Sequence, residues 1–437
     1  MEREIAARRV KERHALGWSQ RDRAEDEMIR RVYLDNNATT PLAPEVFEAM
    51  KPFLLENFGN ASSIHWFGQQ AKAALETARE QVARLINARP NEVVFTSGGT
   101  ESDNTSLFGV VEAAARQGGA KHIIISSIEH QAVLNAAQAL EKGGVSVTYA
   151  PVGPTGVVDP GEIERAIRPE TVLISIMHAN NELGTIQPIG EIGRVARQRG
   201  VAFHTDAVQS VGKIPVDVEK LNVDLLSFSA HKFYGPKGTG ALYVRKGTNL
   251  RPLLYGGHHE RDRRPGTENV AGAVGAGKAA ELAKENLESD ALRLASLRDR
   301  LEGTILSTIP LATRNGDPGH RLPTTSNLRF DHVEGEGFVI ALDLKGVACS
   351  TGAACSSGSL ESSHVLSAIG LSKAQARSSI RFSLGRFNTA EDIDYVLRVL
   401  PAVVEHLRAI SPNYRKAALS QQPSARPSDA GNVREER

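Results

Sequence analysis

A carboxylate and an amine stand at matching places after two neighbouring apolar runs. Val201-Ala-Phe203 leads into His204-Thr-Asp206-Ala-Val-Gln209, and Val223-Asp-Leu-Leu-Ser-Phe-Ser229 leads into Ala230-His231-Lys232. Parallel strands joined by a crossover would bring Asp206 and Lys232 side by side at their carboxyl ends. An acid and an amine meeting there suit pyridoxal 5'-phosphate. The lysine holds the cofactor aldehyde as a Schiff base, and the carboxylate keeps the pyridine nitrogen protonated, which makes the ring an electron sink for amino-acid chemistry.

Other strand ends supply fitting groups. Thr96-Ser-Gly-Gly-Thr100 follows the apolar Val93-Phe95 and opens a helical pattern; the backbone of Gly99 and the hydroxyl of Thr100 would cradle a phosphate at a helix N-terminus. No Gly-Lys-Ser/Thr follows, so the segment is not a nucleotide-binding P-loop. His130, past Ile123-Ser126, is placed to lie on the pyridine ring and shuttle protons. Asn181, past Val172-Met177, and Gln209, three residues after Asp206, are placed to reach the ring oxygen. Ligands of open α/β sheets bind beyond the carboxyl ends of strands, where all of these groups fall.

Those residues need a sheet to position them. Strand runs are expected at Val93-Phe95, Ile123-Ser126, Val145-Tyr149, Val172-Met177, Val201-His204, Leu225-Ser229 and Ala241-Val244. Helical patterns at Gln69-Leu85, Gln131-Leu140, Gly161-Ile167 and Glu191-Gln198 alternate with them, and Ala271-Ile309 reads as a long charged helix. The alternation predicts an α/β fold with a mostly parallel central sheet covered by helices. Length argues for two domains. The division expected is a large α/β unit over 32–285 and a small α+β unit over 286–415, with an N-terminal arm over 1–31 and a disordered polar tail over 416–437. A translation start at Met28 would remove most of the arm.

Composition narrows the role. A net charge of +1 offers no bulk field for nucleic acid or a membrane surface. No apolar run is long enough to span a bilayer, and the N-terminus lacks the pattern of a signal or transit peptide. The only cysteines are Cys349 and Cys355, which is no disulfide framework and fits a reducing cytoplasm. Cys355 lies in Cys349-Ser-Thr-Gly-Ala-Ala-Cys355-Ser-Ser-Gly-Ser-Leu360, a small, polar, glycine-rich stretch where a thiol can reach a substrate; Cys349 follows an apolar run and reads as structural.

From about Tyr33 to Ile410 the chain resembles the cysteine desulfurases of the class V aminotransferase group, of the iron–sulfur and nitrogen-fixation type. The ordered motifs are Tyr33-Leu-Asp-Asn-Asn-Ala-Thr-Thr-Pro41, Thr96-Ser-Gly-Gly-Thr-Glu-Ser-Asp-Asn104, Ser175-Ile-Met-His-Ala-Asn-Asn-Glu182, His231-Lys-Phe-Tyr-Gly-Pro-Lys-Gly238, Arg264-Pro-Gly-Thr-Glu-Asn269 and Ser378-Ser-Ile-Arg-Phe-Ser-Leu-Gly-Arg386. The resemblance implies the type I fold of pyridoxal-phosphate enzymes. It implies Lys232 as Schiff-base lysine and proton shuttle, Asp206 at the pyridine nitrogen, His130 on the ring, and Asn181 and Gln209 at the ring oxygen. Thr100, Ser229 and His231 become phosphate ligands, with Thr267 reaching the phosphate of a neighbouring protomer in a homodimer. Arg381 clamps the substrate carboxylate, with Asn181 beside the substrate. Cys355 is the nucleophile that takes sulfur from L-cysteine, leaving alanine and a persulfide that passes to an acceptor scaffold or relay protein. No resident metal is implied; Cys355 would meet a nascent iron–sulfur cluster only transiently. The pattern departs at Ser362, where relatives carry proline, and His258-His259 sits where relatives vary. A selenocysteine lyase or another class V transaminase remains an alternative, as does a sulfur-relay docking platform with weak turnover.

Overall fold

The computed structural model describes residues 30–116, 118, 121–351, 362–412 and 414. Cys355, most of the N-terminal arm and the tail therefore lie outside the described residues. A short strand β1 (Val32–Tyr33) precedes seven strands that form one sheet: β2 (Val93–Thr96), β3 (His122–Ser126), β4 (Ser146–Ala150), β5 (Thr171–Ser175), β6 (Ala202–Asp206), β7 (Leu225–Ser229) and β8 (Gly240–Val244). Their spatial order is β2-β8-β7-β6-β5-β3-β4. The run from β7 to β4 is parallel throughout, and only β8 runs against its neighbours in this sheet. Strands such as β3, with sequence HIIIS, are buried along their whole length. A parallel strand has helices on both faces, so an unbroken apolar run is what it needs. Two apolar layers result, one on each side of the sheet, centred on residues such as Phe203 and Phe228 on one face and Ile123 and Leu225 on the other.

A second sheet is antiparallel, ordered β12-β10-β9, from β9 (Ala312–Asn315), β10 (Thr325–Phe330) and β12 (Ser379–Ser383). Between β10 and β12 lies β11 (Val347–Ala348), which pairs in parallel with β1. Val32 and Leu34 accordingly join the apolar cluster of Leu328, Phe338 and Phe382, although they open the stretch that the sequence assigns to the large unit.

A helix of 39 residues, Val270–Thr308, serves both cores. The expected boundary at 285/286 falls inside it. Its first half carries a stripe of Ala and Gly against the helices Pro44–Leu55 and Trp66–Leu85. Gly277 is required there, because a Cβ would stand 2.7 Å from Cα of Ala78. Its second half turns Leu294, Leu301 and Ile305 into the other cluster. Among the described residues no helix is long and apolar enough to cross a membrane.

Candidate active site

β6 and β7 are parallel neighbours, with Asp206 in register with Ser227. Asp206 ends β6, and Lys232 closes the tight turn Ala230–Lys232 that follows β7. Asp206 is 4% exposed, and its Oδ1 accepts from the backbone N–H of Val208 at 2.9 Å. Burial pushes its carboxyl above the usual range, while His130 and then Lys232 pull it back. A carboxylate so deeply buried keeps its charge best opposite a cation. Lys232 Nζ donates to the main-chain carbonyls of Asn37 at 2.6 Å and Ala38 at 2.8 Å.

A cavity of about 170 Å³ opens between these ends, lined by Gly99, Thr100, His130, Asn181, Asp206, Gln209, Ser229, His231 and Lys232, with Asp103, Met177 and Val208. Gly99 and Thr100 begin the helix Gly99–Arg116, whose first N–H groups face an anion favourably. A Cβ on Gly99 would stand 2.7 Å from Cγ2 of Val208, so only glycine lets the helix start this close to the residue after Ala207. The His231 ring sits 3.0 Å from the Thr39 hydroxyl through Nδ1, and burial, with Lys232, Lys237 and Lys213 nearby, pushes it down to about 4. The imidazole is therefore neutral at neutral pH.

His130 caps the helix Gln131–Lys142, its Nδ1 accepting from the backbone N–H of Ala132 at 3.1 Å. That bond fixes Nε2 as the ring's N–H when the ring is neutral. Asn181 offers its side chain to the cavity, while its carbonyl accepts from Asn37 Nδ2 and from Arg381 Nη1. Gln209 Nε2 donates to the Asn37 carbonyl at 2.9 Å, and its Oε1 accepts from Lys213 Nζ at 2.8 Å.

Under the cavity lies a dry polar layer. Oδ1 of Asp103 and Oε2 of Glu129 are buried without a hydrogen-bond partner among the described residues. Burial drives both carboxyls up, Glu129 to about 8, and Asp206 adds to each shift. His204 bridges Ser175 at 2.8 Å and Ser227 at 2.9 Å, and burial lowers it to about 3. Glu129 is thus biased to the neutral acid and Asp103 is shifted the same way, while Asp206, pulled back by His130 and Lys232, is the carboxyl best placed to face a ring cation. Together with the helix N-terminus and the lysine, this donor set fits a phosphorylated pyridine aldehyde.

Arg381 is nearly buried beside the cavity, outside its lining. Its Nη2 donates to Asp35 at 2.7 Å and its Nη1 to Asn181 O at 3.0 Å, while Nε has no partner among the described residues. Its backbone exchanges hydrogen bonds with Ser350, close before the segment that holds Cys355. Thr267 is exposed and away from the cavity, on the surface of this chain. Cys349 is 7% exposed in the second apolar cluster, and burial raises its thiol far above the usual value. Among the described residues no group of three or more His, Cys, Asp or Glu could hold a metal ion.

Nothing in the residue pattern singles out Asn37, Lys213, Asp103 or His204. Asn37 and Asp103 lie within motifs noticed for other residues. Lys213 stands one helical turn after Gln209, a spacing that signals a shared face. His204 precedes Asp206 by two positions on a strand, where alternation turns both side chains to the same face of the sheet.

Comparison with known proteins agrees with this geometry. A cysteine desulfurase IscS of Dictyoglomus turgidum is 54% identical over 385 residues, covering 88% of this chain and 97% of that relative. Among solved structures, a NifS-like protein has a TM-score of 0.81 at 40% identity, covering 86% of this chain and all of that one. SspA in complex with cysteine has a TM-score of 0.73 at 40% identity, covering 82% of this chain and all of that one. The fold is the type I fold of pyridoxal-phosphate enzymes, with its mostly parallel sheet and smaller C-terminal α+β part. The aminotransferase class-V profile matches residues 32–396, and with that span the chain belongs to the aminotransferase class-V family.

Proposed function

We propose that this chain is a cysteine desulfurase, which removes sulfur from L-cysteine to leave L-alanine and a persulfide on Cys355. The observation that carries the reading is Asp206 and Lys232 at adjacent parallel strand ends, over the N-terminus of the Gly99–Arg116 helix, in a chain half identical to proteins of that activity.

Bound in the cavity, pyridoxal 5'-phosphate supplies an electron sink for the bonds at the substrate α-carbon. Lys232 would anchor the cofactor and, as a free neutral amine, would take and return the α-proton; the Asn37 and Ala38 carbonyls hold its Nζ within reach. Asp206 keeps a proton on the ring nitrogen. Gly99, Thr100, Ser229 and His231 take the phosphate, His231 as a neutral donor. His130, held by its helix cap, covers the ring and carries protons. Asn181 and Gln209 donate to the ring oxygen, and Asn181 also borders the substrate. Arg381 binds the substrate carboxylate, and Asp35 holds its guanidinium in place beside the cavity. The Cys355 thiolate attacks the substrate sulfur, the carbon–sulfur bond breaks, and the carbon fragment takes up protons to become alanine.

Thr267, exposed here, reaches the phosphate site of a second copy in a homodimer. The persulfide passes to an acceptor scaffold or relay protein, and a reducing cytoplasm suits a chain that depends on a free thiol. The division into units over 32–285 and 286–415 belongs to the same reading, with the long helix crossing between them.

Mass spectrometry of the loaded protein after incubation with L-cysteine tests the function. A gain of one sulfur atom on the peptide containing Cys355, with alanine released, is expected. Sulfur found on Cys349 alone, or none with pyruvate or a keto acid formed, would overturn it.

A further inference from the structure

Lys213 is a partly buried amine with no carboxylate in salt-bridge reach among the described residues. Its Nζ donates to two amide oxygens, Asn37 Oδ1 at 3.0 Å and Gln209 Oε1 at 2.8 Å. The charged groups facing it are cations, Lys232 and Arg381, and together with burial they push it well below its usual value. A partly buried ammonium without a counter-ion is disfavoured, which is the sense of that shift. A neutral amine has two N–H donors, which matches the two acceptors it meets. Salt-bridging is therefore not its task.

Its contacts decide which way two amides point. An asparagine or glutamine side chain has one accepting and one donating end, and the surrounding hydrogen bonds set which faces where. With Oε1 of Gln209 claimed by Lys213, which does not line the cavity, Nε2 becomes the end left for the Asn37 carbonyl and the cavity. With Oδ1 of Asn37 claimed by the same amine, Nδ2 turns to the Asn181 carbonyl and the Thr325 hydroxyl, at 3.1 and 3.0 Å. The Asn37 carbonyl then accepts from both Gln209 and Lys232. One amine thus holds Gln209 directly and, through Asn37, meets the groups that contact Asn181 and Lys232.

We propose that Lys213 is a positioning residue of the active site, which acts as a double donor to orient Gln209 and Asn37 so that Gln209 presents an N–H to the oxygen of the cofactor ring. The inference rests on the reading of Gln209 as a ring-oxygen contact. A flipped Gln209 would set a carbonyl against that oxygen, replacing attraction by repulsion.

The test is the pH midpoint of the absorbance band of protein loaded with pyridoxal phosphate, measured without substrate. Losing a donor makes the ring oxygen more basic and moves the midpoint up. Lys213→Met should raise it by about one pH unit. Lys213→Gln, neutral and also a double donor, should bring it back to within ~0.3 unit of the parent. Gln209→Leu is the control, with a rise comparable to that of Lys213→Met. Thermal melting of the cofactor-free proteins reports any loss of folding separately. A Gln209→Leu shift with none in a folded Lys213→Met protein would overturn the role of Lys213 while leaving Gln209 at the ring. No shift in either would remove the reading of Gln209, and the inference with it. A shift in Lys213→Met that Lys213→Gln fails to reverse would overturn the double-donor role.

Discussion

The Lys232 ammonium is tied at 2.6 Å to the main-chain carbonyl of Asn37, a residue 195 positions earlier in the chain. The acceptor is backbone, so no side-chain substitution at position 37 removes it directly. The segment that supplies it is itself pinned, Asn37 N–H donating to the Ser383 hydroxyl on β12. The lysine of the large sheet is therefore registered against the second sheet through one short peptide.

Removing that lysine should abolish covalent attachment of the cofactor while the protein stays folded. Lys232→Ala, loaded with pyridoxal phosphate and treated with borohydride, is expected to yield no cofactor-modified peptide by mass spectrometry. A modified peptide from Lys213 instead would assign the anchoring role to the wrong amine.

Arg381 separates substrate binding from cofactor binding. Arg381→Lys keeps the charge but loses the planar fork that holds Asp35 and Asn181 together. A KM for L-cysteine raised roughly 10- to 100-fold is expected, the range for losing a charge-assisted hydrogen bond. Cofactor affinity should change little, as equilibrium dialysis would show. Equal losses in both would mean that the arginine only supports the fold.

The ion pair of Arg79 and Glu260 is structural. Both side chains are 3% exposed, the contacts are bidentate at 2.6 and 2.8 Å, and Glu260 also accepts from Phe95 N–H at the edge strand β2. It pins Glu260, Arg261 and Asp262, which all adopt left-handed backbone conformations that cost energy in residues other than glycine. Glu260→Gln would leave the buried Arg79 guanidinium with only the more exposed Glu76, 3.3 Å away, as counter-ion, and urea unfolding should show a loss of about 3 kcal/mol. A loss below ~1 kcal/mol would mean that water reaches the guanidinium.

The polar layer under the cavity should set opposite pH limits on stability. Glu129, raised to about 8, binds its proton more tightly folded than unfolded, so its contribution is full below about 4.5 and is lost as pH rises through 8. His204 and His178 are held neutral, lowered to about 3 and about 4, so their contribution is present above 6.5 and is lost as pH falls toward those values. Melting temperature against pH should be flatter on the alkaline side for Glu129→Gln and on the acid side for His204→Asn. Unchanged slopes would place these groups in contact with water.

Much of this was legible beforehand for physical reasons. Buried parallel strands need unbroken apolar runs, so β3, β5, β6 and β7 announced themselves, and the residues just past them formed the cavity because that is where such sheets bind ligands. The route of the chain before the first long helix was not legible. Val32–Tyr33 is too short for any periodicity, and its pairing with Val347–Ala348 joins positions more than three hundred residues apart. Nor could spacing reveal Asn37, whose contribution is a carbonyl that every residue type possesses. Lys213 was hidden for the opposite reason, because a lysine four residues past a glutamine is ordinary on a solvated face, and only the packing shows it tied to two amide oxygens. Glu129 stands beside His130 in the sequence, but its shift comes from burial between the strands and, to a smaller degree, from Asp206 on another strand.

The Val270–Thr308 helix is about 58 Å long at the usual rise per residue, a single rod fixed at one end in each core. Its middle has no glycine or proline from Lys278 to Arg300, so nothing along that stretch offers a hinge. Heating that releases one end deprives the other of half its scaffold. The two cores are therefore built to melt in a single cooperative transition, and neither half of the chain should be expected to persist once the other has been lost.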